Sequence, residues 1–203
     1  YDRYDRTKSR VYLGEYAAHL PGRPSNIETA LSEALYLTAV ERNGDIVSMT
    51  SYAPLLAKDR HTQWSPDLIY FDNTEVKPTV GYYTQLMYGQ NSGNEYLFSA
   101  IDLDNRQEAV KKRVGASVVK ENESADIIVK LVNLLPVSVR SQVELDGDAL
   151  IHPSAIKTVL TGDPKDKQAK PVSSGFELSG NNFSYEMPAY SFTVIRIHST
   201  GNR

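Results

Sequence analysis

Hydrophobic and polar positions along the chain follow two different rhythms. Up to about Gly93 they predict strand, helix, strand, loop and helix. An apolar run at Val11–Ala17 reads as a strand, and a polar loop with Pro21 and Pro24 follows it. Ile27, Ala30, Leu31, Ala34 and Leu35 then recur at helical spacing and form one apolar stripe. Ser25 and Glu28 fit a capping box at the start of that helix, and Asn43-Gly44 offers a left-handed stop. Asp45–Tyr52 reads as a second strand, Ala53–Leu56 as a turn and the residues around Trp64 as a long loop. Pro78 suits a first helical position, and Val80, Tyr83, Leu86 and Met87 make a short amphipathic helix, on which Gln85 is expected at the surface.

Beyond Gly93 the pattern is strands and turns. Candidate strands are Glu95–Asp102, Arg113–Lys120, Asp126–Leu134, Val137–Leu145, Ile156–Thr161 and Tyr190–His198. Val137, Val139, Val143 and Leu145 alternate with polar residues, as in a half-buried antiparallel strand. The expected fold class is therefore α/β followed by all-β, with a β-sandwich in the second half. Two β/α units are too few for a closed barrel, which needs roughly 250 residues. An apolar patch on Ile27–Glu41 and Ile46–Tyr52 is therefore expected, covered by another copy or by a rearrangement.

Composition narrows the function. The chain has 203 residues, 40% of them hydrophobic, a net charge of −3 and no cysteine. Thiolate chemistry and disulfides are thereby excluded, and slight acidity argues against a nucleic-acid partner. No apolar run is long enough to span a membrane, and the polar, aromatic Tyr1–Arg6 does not read as a signal peptide. The expected protein is soluble, with a secreted or periplasmic location left open. The four histidines are scattered without ligand spacing, so no metal and no cofactor are expected.

Candidate chemistry centres on Glu15, an acid inside an apolar strand, where acids are depleted. It sits near the strand's C-terminal end, where parallel α/β folds place functional residues. A strand-end acid reaching water is the plain alternative. Two adjacent strand ends would gather Glu15, Tyr16, His19 and the loop with Trp64 and Asp67 at one rim. A carboxylate beside aromatic platforms suits glycoside cleavage. For Trp64 and Tyr16 the competing role is packing, for Asp67 a cap or turn, and for His19 an ordinary loop position.

Four blocks then carry a resemblance. Tyr12–Ala18, Met49–Leu56, Trp64–Asn73 and Pro78–Leu86, in this order and spacing, closely resemble the C-terminal portion of family 51 glycoside hydrolases, retaining α-L-arabinofuranosidases. Met187–Val194 resembles the last strand of the family's terminal sandwich, so the likeness covers essentially the whole chain. It implies the last two β/α units of a (β/α)8 barrel over residues 1–92 and an antiparallel, jelly-roll-like β-sandwich over 93–203. It implies Glu15 as nucleophile; Trp64, Tyr16, Asp67 and His19, which the strand-end reading brings to the same rim, are the candidate substrate-binding residues. The family's acid/base, a Glu preceded by Asn after the fourth barrel strand, has no counterpart here, because Asn94-Glu95 and Asn122-Glu123 lie in the strand-rich half. The implied partners are an arabinose-containing polysaccharide or oligosaccharide, the missing N-terminal barrel portion and a possible second copy. This chain alone is expected to be nearly inactive. The alternative is a non-catalytic carbohydrate-binding or structural sandwich, marked by exposed aromatics such as Phe183 and Tyr185.

Overall fold

In the computed structural model the first apolar run forms strand β1 (Val11–Tyr16), one residue shorter than its pattern suggests. Helix α1 (Ile27–Arg42) returns the chain so that strand β2 (Val47–Tyr52) lies parallel to β1. The structure describes residues 1–147 and 150–200. The cap of α1 is Asn26, not Ser25: its extended backbone lets the side chain accept the Thr29 N–H at 3.0 Å. The next free donors are met from far along the chain, since Ile27 N–H reaches Asp166 O and Glu28 N–H reaches Pro164 O. At the other end Asn43 has φ −108°, outside the left-handed region. Its side-chain amide instead donates to Ala39 O and to Asp2, both at 2.8 Å.

The stretch read as a turn and a loop contains a small sheet of three three-residue strands: β3 (Leu56–Lys58), β4 (Ile69–Phe71) and β5 (Val76–Pro78). β3 and β4 run parallel, β4 and β5 antiparallel. Lys77 ties the sheet by bonding Asp59 at 2.6 Å and Asp72 at 2.9 Å. Pro78 thus ends a strand rather than opening a helix; Thr79 holds the N-cap position of α2 (Val80–Gln90), its hydroxyl donating to Leu68 O and not to the helix.

The remainder comprises β6 (Glu95–Leu97), α3 (Glu108–Lys111), β7 (Val114–Glu121), β8 (Asp126–Asn133), β9 (Val139–Glu144), β10 (Leu150–Thr161), β11 (Val172–Glu177), β12 (Asn182–Met187) and β13 (Ser191–Thr200). Six strands form one antiparallel sheet in the order β11-β10-β13-β8-β7-β6, and β12 pairs with β9. β8 is buried along its whole length because both faces of the large sheet are covered. Ile128 and Val132 face α1 and α2 together with Phe192 and Val194, while Ile127, Val129 and Leu131 face Phe183, Tyr185 and Met187 of β12. The Tyr88 ring stacks on Phe192 at 4.9 Å. Helix α1 comes so close to β7 that a Cβ at Gly115 would stand 2.7 Å from Leu35 Cδ2.

The expected apolar patch on α1 is therefore absent: Ile27, Ala30, Leu31, Ala34 and Leu37 are all buried. Helix α2 and the large sheet cover that face, a packing that the missing-strand argument did not consider. On the strand pair, Ile46 and Val47 are buried too, whereas Tyr12 and Met49, directly paired, remain exposed.

Candidate active site

The two parallel strands end side by side, with Tyr16 opposite Tyr52 and the Ala53 N–H bonded to Tyr16 O at 3.2 Å. Just before that point the ladder slips. Leu13 pairs with Thr50 and Tyr16 with Tyr52, so β1 advances three residues while β2 advances two. The extra residue is a bulge at Gly14-Glu15, a device that re-aims a side chain out of the ladder. Glu15 is exposed, and its side chain makes no hydrogen bond or ion pair among the described residues. It is a strand-end acid open to water.

Behind it stands a polar cluster that the sequence reading missed. Glu33, on α1, is only 1% exposed. One carboxylate oxygen accepts the Ala18 N–H at 3.3 Å and the Tyr52 hydroxyl at 3.1 Å; the other accepts the Gln85 amide at 3.4 Å. Tyr16 donates its hydroxyl to Gln85 Oε1 at 2.5 Å, and its ring meets that of Tyr52 edge-on at 5.7 Å. Gly81 leaves the room, since a Cβ there would lie 3.2 Å from Glu33 Oε2. Burial pushes the Glu33 carboxyl up to about 7 against the pull of its three hydrogen bonds. Burial and the nearby Glu33 charge push the Tyr16 hydroxyl up to about 12, and the same two causes raise Tyr52, with Tyr16 and Asp67 adding smaller contributions. Gln85, expected at the surface, is half-buried and joins Tyr16 to Glu33, because α2 turns this side toward the strand ends rather than toward solvent.

The other expected residues lie on separate loops. Asp67 is buried at the start of β4, accepting the Thr62 hydroxyl at 3.2 Å, with its backbone N–H on Tyr70 Oη at 2.9 Å. Trp64 stands on the loop between β3 and β4 with 64% of its surface exposed, its backbone held by Thr62. His19 is exposed on the loop after β1. No hydrogen bond or ring contact joins Trp64 or His19 to Glu15 among the described residues. The structure thus gathers Tyr16, Tyr52, Glu33 and Gln85, with Glu15 next to Tyr16 in the chain, and leaves Asp67 bonded to Thr62 and Tyr70 apart from them. A charged residue three positions after Ala30 and four before Leu37, on the buried side of α1, was the available signal for Glu33.

An arabinose-bound family 51 α-L-arabinofuranosidase superposes with a TM-score of 0.88 and 26% identity, over 98% of this chain and 34% of that one. The chain belongs to the α-L-arabinofuranosidase C-terminal domain family, whose profile matches residues 5–191. Among curated relatives, α-L-arabinofuranosidase 1 of Arabidopsis thaliana is 28% identical over 95% of this chain. The extracellular exo-α-L-arabinofuranosidase of Streptomyces chartreusis is 42% identical over 46% of it. The chain spans 30% of the length of the first and 11% of the second.

Proposed function

We propose that this chain is the part of a retaining α-L-arabinofuranosidase that carries the nucleophile, Glu15. Residues 1–92 would then be the last two β/α units of a (β/α)8 barrel and 93–203 a sandwich domain, with the acid/base carboxyl supplied by a segment outside these residues. The substrate class is terminal α-L-arabinofuranosyl units on arabinan, arabinoxylan or their oligosaccharides. The supporting observation is the bulge that exposes Glu15 at the end of a parallel strand, in a chain of this family.

In the proposed reaction Glu15 attacks the anomeric carbon, and the bond to the glycosidic oxygen breaks as that oxygen takes a proton from the acid/base. Water, deprotonated by the same group, then displaces the sugar from Glu15 and leaves a second inversion, hence net retention. The two carboxyls must stand about 5–5.5 Å apart. Trp64 offers an exposed ring for the C–H face of a sugar. In this reading His19 adds an exposed polar contact, while Tyr16 and Asp67, bonded to Gln85 and Thr62, would support the rim from within. A site outside the cell suits a polysaccharide substrate and the extracellular relative. The carbohydrate-binding-module alternative is weakened because Phe183 and Tyr185 are buried at 2% and 6% exposure.

The test is 2,4-dinitrophenyl α-L-arabinofuranoside, whose leaving group departs without an acid. Without a general base the arabinosyl-enzyme should persist, so peptide mass spectrometry should find a pentosyl adduct on Glu15, absent from Glu15→Gln. Turnover of 4-nitrophenyl α-L-arabinofuranoside should be negligible for both chains. An adduct on another residue, or none, refutes the assignment.

A further inference from the structure

We infer that Glu33 is a positioning residue for Glu15: with Tyr52 and Gln85 it forms a buried hydrogen-bond frame that fixes the chain segment leaving the bulge. This rests on Glu15 being the nucleophile.

A bulge aims a side chain outward but leaves its own backbone without ladder partners. The segment just after Glu15 must then be held by other means. Tyr16 is held at two atoms, its carbonyl by the Ala53 N–H and its hydroxyl by Gln85. Ala18 is held by Glu33, three residues beyond Glu15. The same Glu33 oxygen takes the Tyr52 hydroxyl, so the ends of both strands share one acceptor. Helix α2 closes the frame through Gln85, which bonds Glu33 and Tyr16 at once.

Nothing in the frame suggests an ion-pair role for this acid. Among the described residues no Lys, Arg or His pairs with Glu33, and every group facing it is a neutral donor. An unpaired buried carboxyl is costly to keep, so the arrangement spends stability on acceptor geometry. A glutamine would offer one acceptor oxygen to Ala18 and Tyr52, and a flipped Gln85 could bond its amide. A leucine would offer none.

The experiment compares wild type, Glu33→Gln and Glu33→Leu for two readouts: the rate of arabinosyl labelling of Glu15 by the dinitrophenyl substrate, and amide exchange at Ala18. Circular dichroism melts confirm that each variant folds. In Glu33→Leu, labelling should fall about a hundredfold, the scale of roughly an ångström of misplacement. Ala18 exchange should rise about tenfold for the loss of its bond. Glu33→Gln should bring labelling back to within about tenfold of wild type. Should the leucine variant not fold, Gln85→Leu removes the hold on Tyr16 and should also slow labelling with the fold intact. Wild-type labelling in a folded Glu33→Leu or Gln85→Leu overturns the inference. Equal loss in Glu33→Gln and Glu33→Leu also overturns it, because acceptor geometry would then not be what matters. If wild type itself gains no adduct at Glu15, the nucleophile assignment fails and the inference with it; faster Ala18 exchange in Glu33→Leu would mark that case as a failed reading of the site, not of the frame.

Discussion

Replacing Lys130 by Met should reveal how α1 is fastened to the large sheet. The Lys130 side chain is completely buried, and its Nζ bonds Glu41 of α1 at 2.7 Å. The ammonium also lies 5.4 Å from the centroid of the Tyr88 ring, and Ser117 of β7 donates to the other Glu41 oxygen at 2.6 Å. Burial pulls the Lys130 ammonium below its ordinary pKa, although the Glu41 charge opposes this. Methionine keeps the unbranched stem and removes the charge, leaving Glu41 with Ser117 alone. Removing one partner of a buried pair costs about 3–5 kcal/mol. Glu41 keeps 17% of its side chain in contact with water, which reduces this to about 2–3 kcal/mol. At roughly 2–4 °C per kcal/mol for a chain of this size, Tm should fall by about 5–10 °C. The double variant Lys130→Met/Glu41→Leu removes the stranded charge and should return to within about 1 kcal/mol of wild type. Urea melts of the four proteins in the cycle give the coupling directly. A single variant as stable as wild type, or a double variant no better than the single, would refute this account.

Three further outcomes follow from the same structure. Asn26→Ala should cost about 1 kcal/mol, while Ser25→Ala should stay within about 0.5 kcal/mol, as thermal melts can show. Glu33 makes stability depend on pH: its carboxyl ordinarily titrates near 4.5 and is pushed up to about 7 by burial. Between those values the folded chain holds a proton that the unfolded chain has released, so stability present below pH 4.5 is lost as pH rises through 7, by about 3 kcal/mol. Glu33→Gln should lack that slope in urea midpoints, and parallel profiles would count against it. Lys77→Met leaves Asp59, Asp72 and Glu75 facing one another without their shared cation, so limited proteolysis should cut the loop with Trp64 faster than in wild type.

Much of the strand-rich half was legible because its strands are long and apolar. β7, β8 and β13 stand within a few residues of their patterns, and the alternation around Val139 and Val143 belongs to β9. β12 carries an equally clear alternation in Phe183, Tyr185 and Met187, yet the sequence reading places no strand there and names Phe183 and Tyr185 only as aromatics that a binding module would expose. β11 hides for a physical reason: as an edge strand of Val-Ser-Ser-Gly-Phe-Glu it buries almost nothing. Strands of three residues, such as β3 to β5, are too short to show any period and exist because they pair with one another. Glu95–Asp102 fails in the opposite way, since pairing ends at Leu97 and Phe98 is 92% exposed.

The site was half legible, and the division follows solvent. Glu15 stood out because an acid in an apolar strand conflicts with its neighbours. Glu33 did not, because a charged residue on an amphipathic helix is ordinarily assigned to the wet face. Helix α1 has too little wet face for that rule. Its first turn meets the loop at Pro164–Asp166, its middle meets the strand ends and α2 through Glu33, and its last turns meet β7 and β8 through Glu41. Two of its acids are therefore held by hydrogen bonds from the two sides it joins, one beside the bulge and one beneath the large sheet. A shift of α1 along its axis would disturb both at once. For that reason the Lys130 variants should be tested for Glu15 labelling as well as for stability. If the sheet steadies the helix that carries Glu33, Lys130→Met should slow labelling even where the chain remains folded, and the double variant should restore it.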